Sequence, residues 1–365
     1  MVLMAAIRFR RFQSCSAAKF IPAVSILKPL HGDEPALEEN LRGFFNQDYP
    51  EFEVIFCARL PDDPGLEIAR RLAAEYPQVK CQLLNSGDAQ FSNAKVQSLQ
   101  RMEQAASHNF LIVSDSDVRV GDGYLRAVVA PFSDPSVGLV TCLYRGRAVE
   151  GGSWAQLEAI GMSVEMTAGV IVSEMLEPVK FALGPTMAVR REALEQIGGF
   201  RALGPYCADD FLLGKWIADK GWRCVISRYV IEHMVQNATF SESVLHQVRW
   251  MKSTRASRPK GHLGTGLTFS VPYGILVCVT AWALHHPWLG LAGLAWSFIN
   301  RMLEAGIVGK LVVNEDHLLK KTLLFATRDA MGFAFWLASY GSRRILWRGQ
   351  TFYLGAEGRM YKEPA

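Results

Sequence analysis

The chain has 365 residues, enough for one large domain or two of ordinary size, and 50% of them are hydrophobic. Its formal net charge of +4 is too small to indicate a nucleic-acid partner. Seven scattered cysteines without a CxxC pair indicate free thiols in a reducing compartment, and eight histidines without an HxxxH pair give no support for zinc chemistry.

Residues 1–22 form a basic, weakly apolar segment at the start of the chain. The segment has no long apolar run followed by a cleavage site, so it does not fit a signal peptide. It is also too short and too charged to span a membrane. We therefore expect the catalytic domain to begin at residue 23.

Short apolar runs that fit strands alternate with segments of helical periodicity through the first third of the chain. Strands that alternate with helices of about 10–15 residues predict an α/β domain with a mostly parallel, Rossmann-like sheet. In such a domain the ligand binds beyond the carboxyl ends of the strands. Asp63 is predicted to cap one helix, with Pro64 in its first position. The predicted strands are 24–27, 52–60, 79–85 and 109–117, and the predicted helices are 35–48, 63–77 and 93–107.

Two aspartates, Asp115 and Asp117, end the fourth predicted strand in the stretch LIVSDSDVRV. Alternate side chains of an extended strand point the same way, so we expect both carboxylates to converge at its carboxyl end. Carboxylate oxygens suit Mg²⁺ or Mn²⁺, which bind through one or two carboxylates plus substrate phosphates. The tripeptide fits a divalent-metal site, and it also fits ordinary turn chemistry.

Three further groups of residues are expected to complete the same site. An aspartate pair ending at Asp63 follows the second predicted strand, so it is expected beside Asp115. Asp209 and Asp210 begin a predicted amphipathic helix in YCADDFLLGKWI. The stretch HQVRW, residues 246–250, closes the polar part of the chain before its most apolar segments.

In this order the groups resemble the signature of the inverting lipid glycosyltransferases of GT-A fold, family 21, which include ceramide glucosyltransferase. The segments VSILKPLHG, QDYPEFEV, IADKGWR and WRGQTFYL are similar to that family too, so the resemblance covers nearly the whole chain from Val24 onwards. His246 departs from the pattern, which has Gln or Arg there, and no membrane-spanning helix is evident at the start of the chain. The matching positions are Asp63 for the first aspartate, Asp115 with Asp117 for the second, Asp210 for the third, and Arg249 with Trp250 for the final pair.

The resemblance implies an enzyme that transfers a hexose from a UDP-sugar, UDP-glucose in the first place, to the hydroxyl of a lipid such as ceramide. The implied reaction inverts the anomeric carbon and depends on a divalent metal. Bacterial relatives that modify hopanoids share the motif order, so transfer of N-acetylglucosamine to a hopanoid is one alternative. A processive polysaccharide synthase, with a similar signature, is another. The implied partners are a nucleotide sugar, a lipid acceptor and the membrane, without nucleic acid.

The donor-side roles follow from the chemistry of a diphosphate leaving group. Mg²⁺ or Mn²⁺ between two carboxylates would neutralise the charge that develops on it. Asp63 suits a contact to uracil or ribose. Lys28 and Lys95 lie at predicted strand–helix junctions, and each either contacts a phosphate of the donor or is exposed to solvent. The predicted donor-binding residues are Lys28, Asp63, Asn93, Lys95 and Asp115, and the predicted metal ligands are Asp115 and Asp117.

The acceptor-side roles follow from direct displacement at the anomeric carbon, which needs a general base on the acceptor hydroxyl. Asp210 is the candidate base. Asp209 is either an alternative base or the N-cap of the helix. Arg249 suits a bidentate contact with the diphosphate, and Trp250 suits an apolar wall over donor or acceptor. We therefore assign Asp210, Arg249 and Trp250 as the catalytic set.

Apolar segments without charge occur at 267–284, 287–299 and 330–342, and they are either membrane spans or buried helices of a soluble protein. Basic residues just before the first segment place the catalytic domain in the cytoplasm by the positive-inside rule, at what we expect to be a bacterial inner membrane. The apolar stretch 154–176 is either a core helix or an interfacial helix that guides lipid. The predicted organisation is a basic segment 1–22, a GT-A domain 23–262, membrane-associated helices 263–348 and a tail 349–365.

Overall fold

The computed structural model describes residues 1–11, 20–149, 152–237, 239–347 and 349–362. Within these residues a mixed eight-stranded sheet with helices on both faces forms the main body, and a three-stranded sheet follows near the C-terminal end. The strands are β1 (Val24–Pro29), β2 (Phe52–Ala58), β3 (Lys80–Asn85), β4 (Phe110–Ser114), β5 (Val118–Arg119), β6 (Val137–Ala148), β7 (Thr186–Arg190), β8 (Arg223–Val235), β9 (Arg344–Trp347), β10 (Gln350–Leu354) and β11 (Met360–Lys362). The helices are α1 (Val2–Arg11), α2 (Leu37–Phe45), α3 (Pro64–Glu75), α4 (Ala94–Ala105), α5 (Tyr124–Val129), α6 (Ser153–Ile160), α7 (Thr167–Leu176), α8 (Arg191–Glu195), α9 (Asp209–Asp219), α10 (Phe240–Ser257), α11 (Pro259–Gly266), α12 (Val271–Ala283), α13 (Pro287–Leu311) and α14 (Leu318–Ala338).

The predicted elements of the first third of the chain are all present, with small differences at their ends. β1 to β4 and α2 to α4 lie where the strand and helix patterns placed them. The Asp63 carboxylate caps α3 by accepting a hydrogen bond from the Gly65 N–H at 2.9 Å, and Pro64 is the first helical residue, as predicted. The prediction of an α/β fold is confirmed.

The large sheet is parallel in its first half and mixed in its second. Its strand order is β3-β2-β1-β4-β7-β6-β8-β5. β3, β2, β1 and β4 are parallel neighbours, β7 runs antiparallel to β4 and β6, and β6 is parallel to β8. The carboxyl ends of β1, β2 and β4 therefore share one edge of the sheet, where ligands bind in open α/β folds.

Alternate residues of the central strands face two separate hydrophobic cores. Leu27 and Ile55 belong to a core shared with α4 and α9, whereas Ile26 and Val54 belong to a core shared with α2 and α3. Strands that are buried on both faces read as continuous apolar runs, which explains the sequence pattern of β1, β2 and β4. Polar groups with a function must then lie at the strand ends.

Helices α12 and α13 form an antiparallel hairpin that covers the first two predicted apolar segments. Glycines let the two backbones approach closely, since a Cβ at Gly290 would lie 2.9 Å from the Cys278 carbonyl oxygen. The outward faces of the hairpin are apolar and open to solvent. Its most exposed large side chains include Leu276, Val279, Trp282, Trp288, Leu289 and Trp296.

The helix α14 covers the third predicted apolar segment and is anchored by buried charges. Asp329 is 2% exposed, and its carboxylate accepts hydrogen bonds from the Ser270 and Val271 N–H groups at the start of α12. Arg328 pairs with Glu165 at 3.1 Å. These contacts fasten α14 to the hairpin and to the apolar helix that begins at Ser153.

One helix of the described residues, Ser153–Leu176, is long and apolar enough to cross a membrane, and half of its most apolar stretch is buried. It comprises α6, a π-helical stretch at Gly161–Met166 and α7. The helices α11 and α12 pass the same length and hydropathy test only as a pair, with a bend of 49° between them. The three predicted spans therefore stay predictions.

Candidate active site

The two aspartates of the Asp-x-Asp stretch lie in a turn rather than on an extended strand. β4 ends at Ser114, and the Val118 N–H donates a hydrogen bond to the Asp115 carbonyl at 3.3 Å. The chain must turn here because β5 pairs antiparallel with β8 at the far edge of the sheet. The expectation of an extended Asp115–Asp117 segment was wrong, and each carboxylate has its own partners.

Asp115 and Lys95 form the central ion pair of the site. The Lys95 Nζ lies 2.6 Å from an Asp115 oxygen and 3.9 Å from an Asp209 oxygen, and its side chain is only 15% exposed. Burial lowers the pKa of Lys95, but the Asp115 and Asp209 carboxylates outweigh it and raise the pKa above its ordinary value. Lys95 therefore stays charged beside the Asp-x-Asp turn.

Asp117 pairs with a histidine from a distant strand. Its carboxylate lies 3.0 Å from the His233 Nε2. Burial raises the pKa of Asp117, but His233, together with Lys28 and Lys95, outweighs it, so the carboxyl pKa lies below its ordinary value. The other carboxylate oxygen, Oδ1, is buried and has no hydrogen-bond partner among the described residues. A buried anionic oxygen without a donor fits the binding of a cation.

Asp115 and Asp117 together suit a divalent ion that is also held by a substrate. The described residues contain no group of three His, Cys, Asp or Glu side chains close enough to hold a metal by themselves. Mg²⁺ and Mn²⁺ commonly bind through one or two carboxylates and complete their coordination with substrate phosphates and water. The donor set present here fits that mode of binding.

Lys28 lies behind the turn, at the carboxyl end of β1. Its side chain is fully buried, its Nζ stands 3.8 Å from the centre of the Phe44 ring, and it donates to the Asp115 backbone carbonyl. Burial lowers the pKa of Lys28 to about 7, although Asp115 and Asp117 act in the opposite direction. In this arrangement the lysine contacts the turn itself.

Asp63 is farther from the turn than predicted, because β1 lies between β2 and β4 in the sheet. Its carboxylate accepts hydrogen bonds from the Gly32 N–H at 3.0 Å and from the Gly65 N–H at 2.9 Å. Gly32 has a φ of +72°, a backbone conformation that favours glycine. Asp63 thus shapes the loop after β1, at the edge of the same cleft.

Asp209 is not the N-cap of its helix. That position belongs to Ala208, and Asp209 is the first residue of α9. Its carboxylate accepts a hydrogen bond from the Asn93 Nδ2 at 3.1 Å and faces Lys95. Asn93 caps α4 through the Lys95 N–H and also donates to the Tyr206 carbonyl. The capping alternative for Asp209 was therefore wrong, because its side chain turns toward the donor side of the site.

Asp210 faces a different wall of the cleft. Its carboxylate accepts hydrogen bonds from the Gly184 N–H at 3.0 Å and from the Phe211 N–H at 2.7 Å. A Cβ at Gly184 would lie 3.2 Å from an Asp210 oxygen and 3.8 Å from an Asp115 oxygen, so the two carboxylates flank this glycine. Burial, and after it the Asp209 carboxylate, raise the pKa of Asp210 to about 6. Asp210 is thus a partly buried carboxylate with an enhanced affinity for a proton.

Arg249 and Trp250 lie on α10, in the order that the motif requires. The Arg249 guanidinium stands 5.6 Å from the centre of the Trp347 ring. Trp250 packs against the hydrophobic core that α2 and α3 share, and its ring contacts that of His246 at a tilt of 52°, with ring centres 4.3 Å apart. The structure brings Asp115, Lys95 and Asp210 together at one edge of the sheet, beside the turn that carries Asp117, and places Arg249 and Trp250 on α10.

The small C-terminal sheet packs against the loop that leads into α9. The Cys207 N–H donates to the Gly358 carbonyl at 3.0 Å, and the Met360 N–H donates to the Pro205 carbonyl at 2.7 Å. Side chains from β9, β10 and β11 form a separate small core with Cys207. Residues 344–362 therefore contribute directly to the support of Asp209 and Asp210.

Three residues near the site were not predicted from the sequence: Tyr144, Glu158 and His233. Tyr144 is buried on β6 with its ring 5.3 Å from that of His233. Burial raises the pKa of Tyr144, and the Asp210 and Asp117 carboxylates raise it further. The available signal was a polar residue within a mainly apolar strand or helix, and that signal alone does not reveal the partner.

Comparison with known proteins identifies the family. The sequence model of glycosyl transferase family 21 matches residues 1–360. Ceramide glucosyltransferase 3 of Caenorhabditis elegans is 25% identical over an alignment of 366 residues that covers 97% of this chain and 77% of the relative. Ceramide glucosyltransferase 1 of the same nematode is 26% identical over 240 residues, which are 66% of this chain and 51% of the relative.

A solved structure with a similar fold is the mannosyltransferase PcManGT from Pyrobaculum calidifontis in complex with GDP-Man and Mn²⁺. It matches with a TM-score of 0.55 and 20% identity, over 93% of this chain and 94% of that chain. This likeness supports the α/β glycosyltransferase fold. Together with the family match along almost the entire sequence, the comparisons lead to one conclusion: the chain belongs to glycosyl transferase family 21 and is a glycosyltransferase.

Proposed function

We propose that the protein transfers a hexose from a nucleotide diphosphate sugar, UDP-glucose in the first place, to the hydroxyl of a membrane lipid such as ceramide. The observation that carries the proposal is the meeting of Asp115, Asp117, Lys95 and Asp210 at one edge of the sheet. Two of these carboxylates suit a divalent ion, and the third stands apart from them as a base. The names of the ceramide glucosyltransferase relatives support a ceramide-like acceptor.

The donor side of the cleft suits a diphosphate leaving group. Mg²⁺ or Mn²⁺ bound by Asp115 and Asp117 would act there as a Lewis acid toward that group. Lys95 adds a fixed positive charge beside it, and Asn93 holds Asp209 so that Lys95 remains between two carboxylates. The GDP-Man and Mn²⁺ bound to the archaeal mannosyltransferase support a donor and a cation of this kind.

The acceptor side suits a single inverting displacement. Asp210 accepts the proton of the acceptor hydroxyl while that oxygen attacks the anomeric carbon and the bond to the diphosphate breaks. Its pKa of about 6 leaves it ionised at neutral pH, yet makes it a better proton acceptor than an ordinary aspartate. The Gly184 and Phe211 N–H groups hold the carboxylate in place.

The exposed apolar hairpin of α12 and α13 supports a lipid acceptor. Trp282 and Trp288, at the turn of the hairpin, are 62% and 80% exposed, which is unfavourable in water and favourable in a bilayer. The hairpin follows α10, which carries Arg249 and Trp250, so a lipid in the same membrane would lie close to the cleft. We infer that the hairpin is embedded in a bacterial inner membrane with the catalytic domain in the cytoplasm.

A transfer assay tests the proposed function. The detergent-solubilised protein is given labelled UDP-glucose, UDP-N-acetylglucosamine or GDP-mannose, each with Mn²⁺, and ceramide, diacylglycerol or hopanoid acceptors. We expect a labelled glycolipid from UDP-glucose and ceramide, and none in EDTA. A polymer without lipid, or full transfer in EDTA, would contradict the proposal.

A further inference from the structure

A buried carboxylate lies on α6, the first part of the apolar helix Ser153–Leu176. The Glu158 side chain, on α6, is only 1% exposed. An ionised carboxylate in such a place is strongly destabilising unless partners surround it. Ser243 donates to it at 2.7 Å and Asn237 at 2.9 Å, and the His246 Nδ1 lies 2.7 Å from its Oε1. Both oxygens of the buried Glu158 carboxylate therefore have hydrogen-bond partners.

The partners of Glu158 come from the segment that carries the Arg–Trp pair. His246 and Trp250 are four residues apart on α10, so they share one face of the helix, and their rings lie 4.3 Å apart. A second contact, between the Trp154 and Phe240 rings at 4.6 Å, fastens the starts of α6 and α10 together. The position of Trp250 thus depends on α6.

The contact with Glu158 also fixes the orientation of the imidazole. The Glu158 carboxylate, at 2.7 Å, is closer to Nδ1 than the Asn237 Nδ2 at 3.1 Å, and it favours the ring form with its proton on that nitrogen. The opposite nitrogen, Nε2, makes no hydrogen bond to any described residue, and the side chain is 28% exposed. A polar ring edge next to an indole ring is an arrangement that recognises a ligand with an apolar body and a polar head.

We propose that His246 and Trp250 form the acceptor subsite, in which the His246 Nε2 edge hydrogen-bonds the polar head of the lipid beside the Trp250 ring. Glu158 is the positioning residue that fixes the imidazole. The ligand chemistry is a hydroxyl or amide head group on an apolar body. This subsite rests on the proposed function, since it requires that a lipid accept the sugar.

Kinetic constants of the full-length protein in detergent test this subsite, with separate KM values for the lipid and for the nucleotide sugar. His246→Ala removes the hydrogen-bonding edge, so we expect the lipid KM to rise by about 10- to 100-fold while the donor KM stays unchanged. Glu158→Gln leaves the ring in place but releases its orientation, so we expect a rise of about 10-fold. The double variant should be no worse than His246→Ala, because Glu158 acts through His246.

Two further variants separate recognition from stability. His246→Gln keeps a donor for Glu158, so it should recover most of the lipid affinity that His246→Ala loses. Glu53→Gln removes another buried carboxylate, with 0% side-chain exposure, at the opposite end of the sheet. It should lower thermal stability without changing the lipid KM.

The outcomes distinguish the subsite from the proposed function. If the wild-type protein glycosylates no lipid, the proposed function fails and the subsite fails with it. If the wild-type protein glycosylates lipid but His246→Ala leaves the lipid KM unchanged, only the subsite is wrong. An equal change in lipid KM from Glu53→Gln, or effects of Glu158→Gln and His246→Ala that multiply, would also overturn it.

Discussion

The two halves of the cleft are built in different ways. The donor half stands on the carboxyl ends of β1, β2 and β4, which are parallel strands joined by short helices. The acceptor half is assembled from α6, α9, α10 and the C-terminal sheet, which are far apart in the chain. Local charge thus governs the donor half, whereas long-range packing governs the acceptor half. Substitutions in the donor half should change the binding of charged ligands. Substitutions in the acceptor half should change the position of the catalytic groups.

The largest effect is expected in the donor half, at the Asp-x-Asp turn. Replacing Asp115 and Asp117 with Asn should lower sugar transfer by about 10³-fold or more, because charge stabilisation by a metal contributes several kcal/mol to the transition state. Binding of Mn²⁺ together with the nucleoside diphosphate, measured by calorimetry, should be lost as well. Asp62→Asn removes an exposed charge after β2, away from the turn, and should change neither quantity. Unimpaired Mn²⁺ binding in the Asn variants would contradict the metal assignment.

The next largest loss of activity is expected at the general base, Asp210, which lies between the donor half and the acceptor half. Asp210→Asn should lower lipid turnover by about 10²–10⁴-fold and leave donor binding unchanged. Asp209→Asn should instead weaken donor binding, because Asp209 faces Lys95 and Asn93. Donor affinity and lipid turnover, measured for both variants, check this division. If Asp209→Asn bound donor normally but did not turn over, the roles of the two aspartates would be reversed.

The C-terminal sheet tests whether packing controls the acceptor half. Phe352 is 5% exposed in the small core that includes Cys207. Phe352→Ala should destabilise this sheet by about 3–5 kcal/mol and lower lipid turnover by about 10-fold, while donor affinity changes little. Tyr353→Ala removes the next side chain of the same strand, which is 44% exposed, and serves as the control. Equal effects of the two variants would show that the core contact does not support the loop before α9.

The same difference explains which features were predictable from sequence. The elements between Val24 and Ser114 follow from local patterns, because each strand and helix is set by its own residues. The partner of Asp117 is 116 residues away, and Ser92 bonds to Met360 across 268 residues. Local patterns contain no information on such pairs. The turn at Asp115 was mispredicted for this reason, since it depends on the pairing of β5 with β8.

The smallest effect on activity, and a clear effect on stability, is expected at Glu53, which lies at the amino end of β2 and away from the carboxyl ends that form the donor half. Its carboxylate accepts hydrogen bonds from the Ser25 hydroxyl at 2.7 Å and the Ser107 N–H at 2.6 Å, and pairs with Lys80 at 2.8 Å. Burial raises the pKa of Glu53, but these partners outweigh it and lower the pKa to about 2. The folded state therefore prefers the ionised form more strongly than the unfolded state does.

A lowered pKa gives a definite dependence of stability on pH. The contribution of Glu53 is complete above the ordinary glutamate pKa of 4.5, which applies to the unfolded chain, and is lost as the pH falls toward the folded value of about 2. We expect about 2 kcal/mol, less than the full shift implies, because Lys80 is 57% exposed and solvent screens the pair. Urea unfolding of wild-type protein and Glu53→Gln should differ by about this amount at pH 7 and by much less near pH 2.5. A difference that stayed constant over this range would mean that packing at residue 53, rather than its charge, stabilises this end of the sheet.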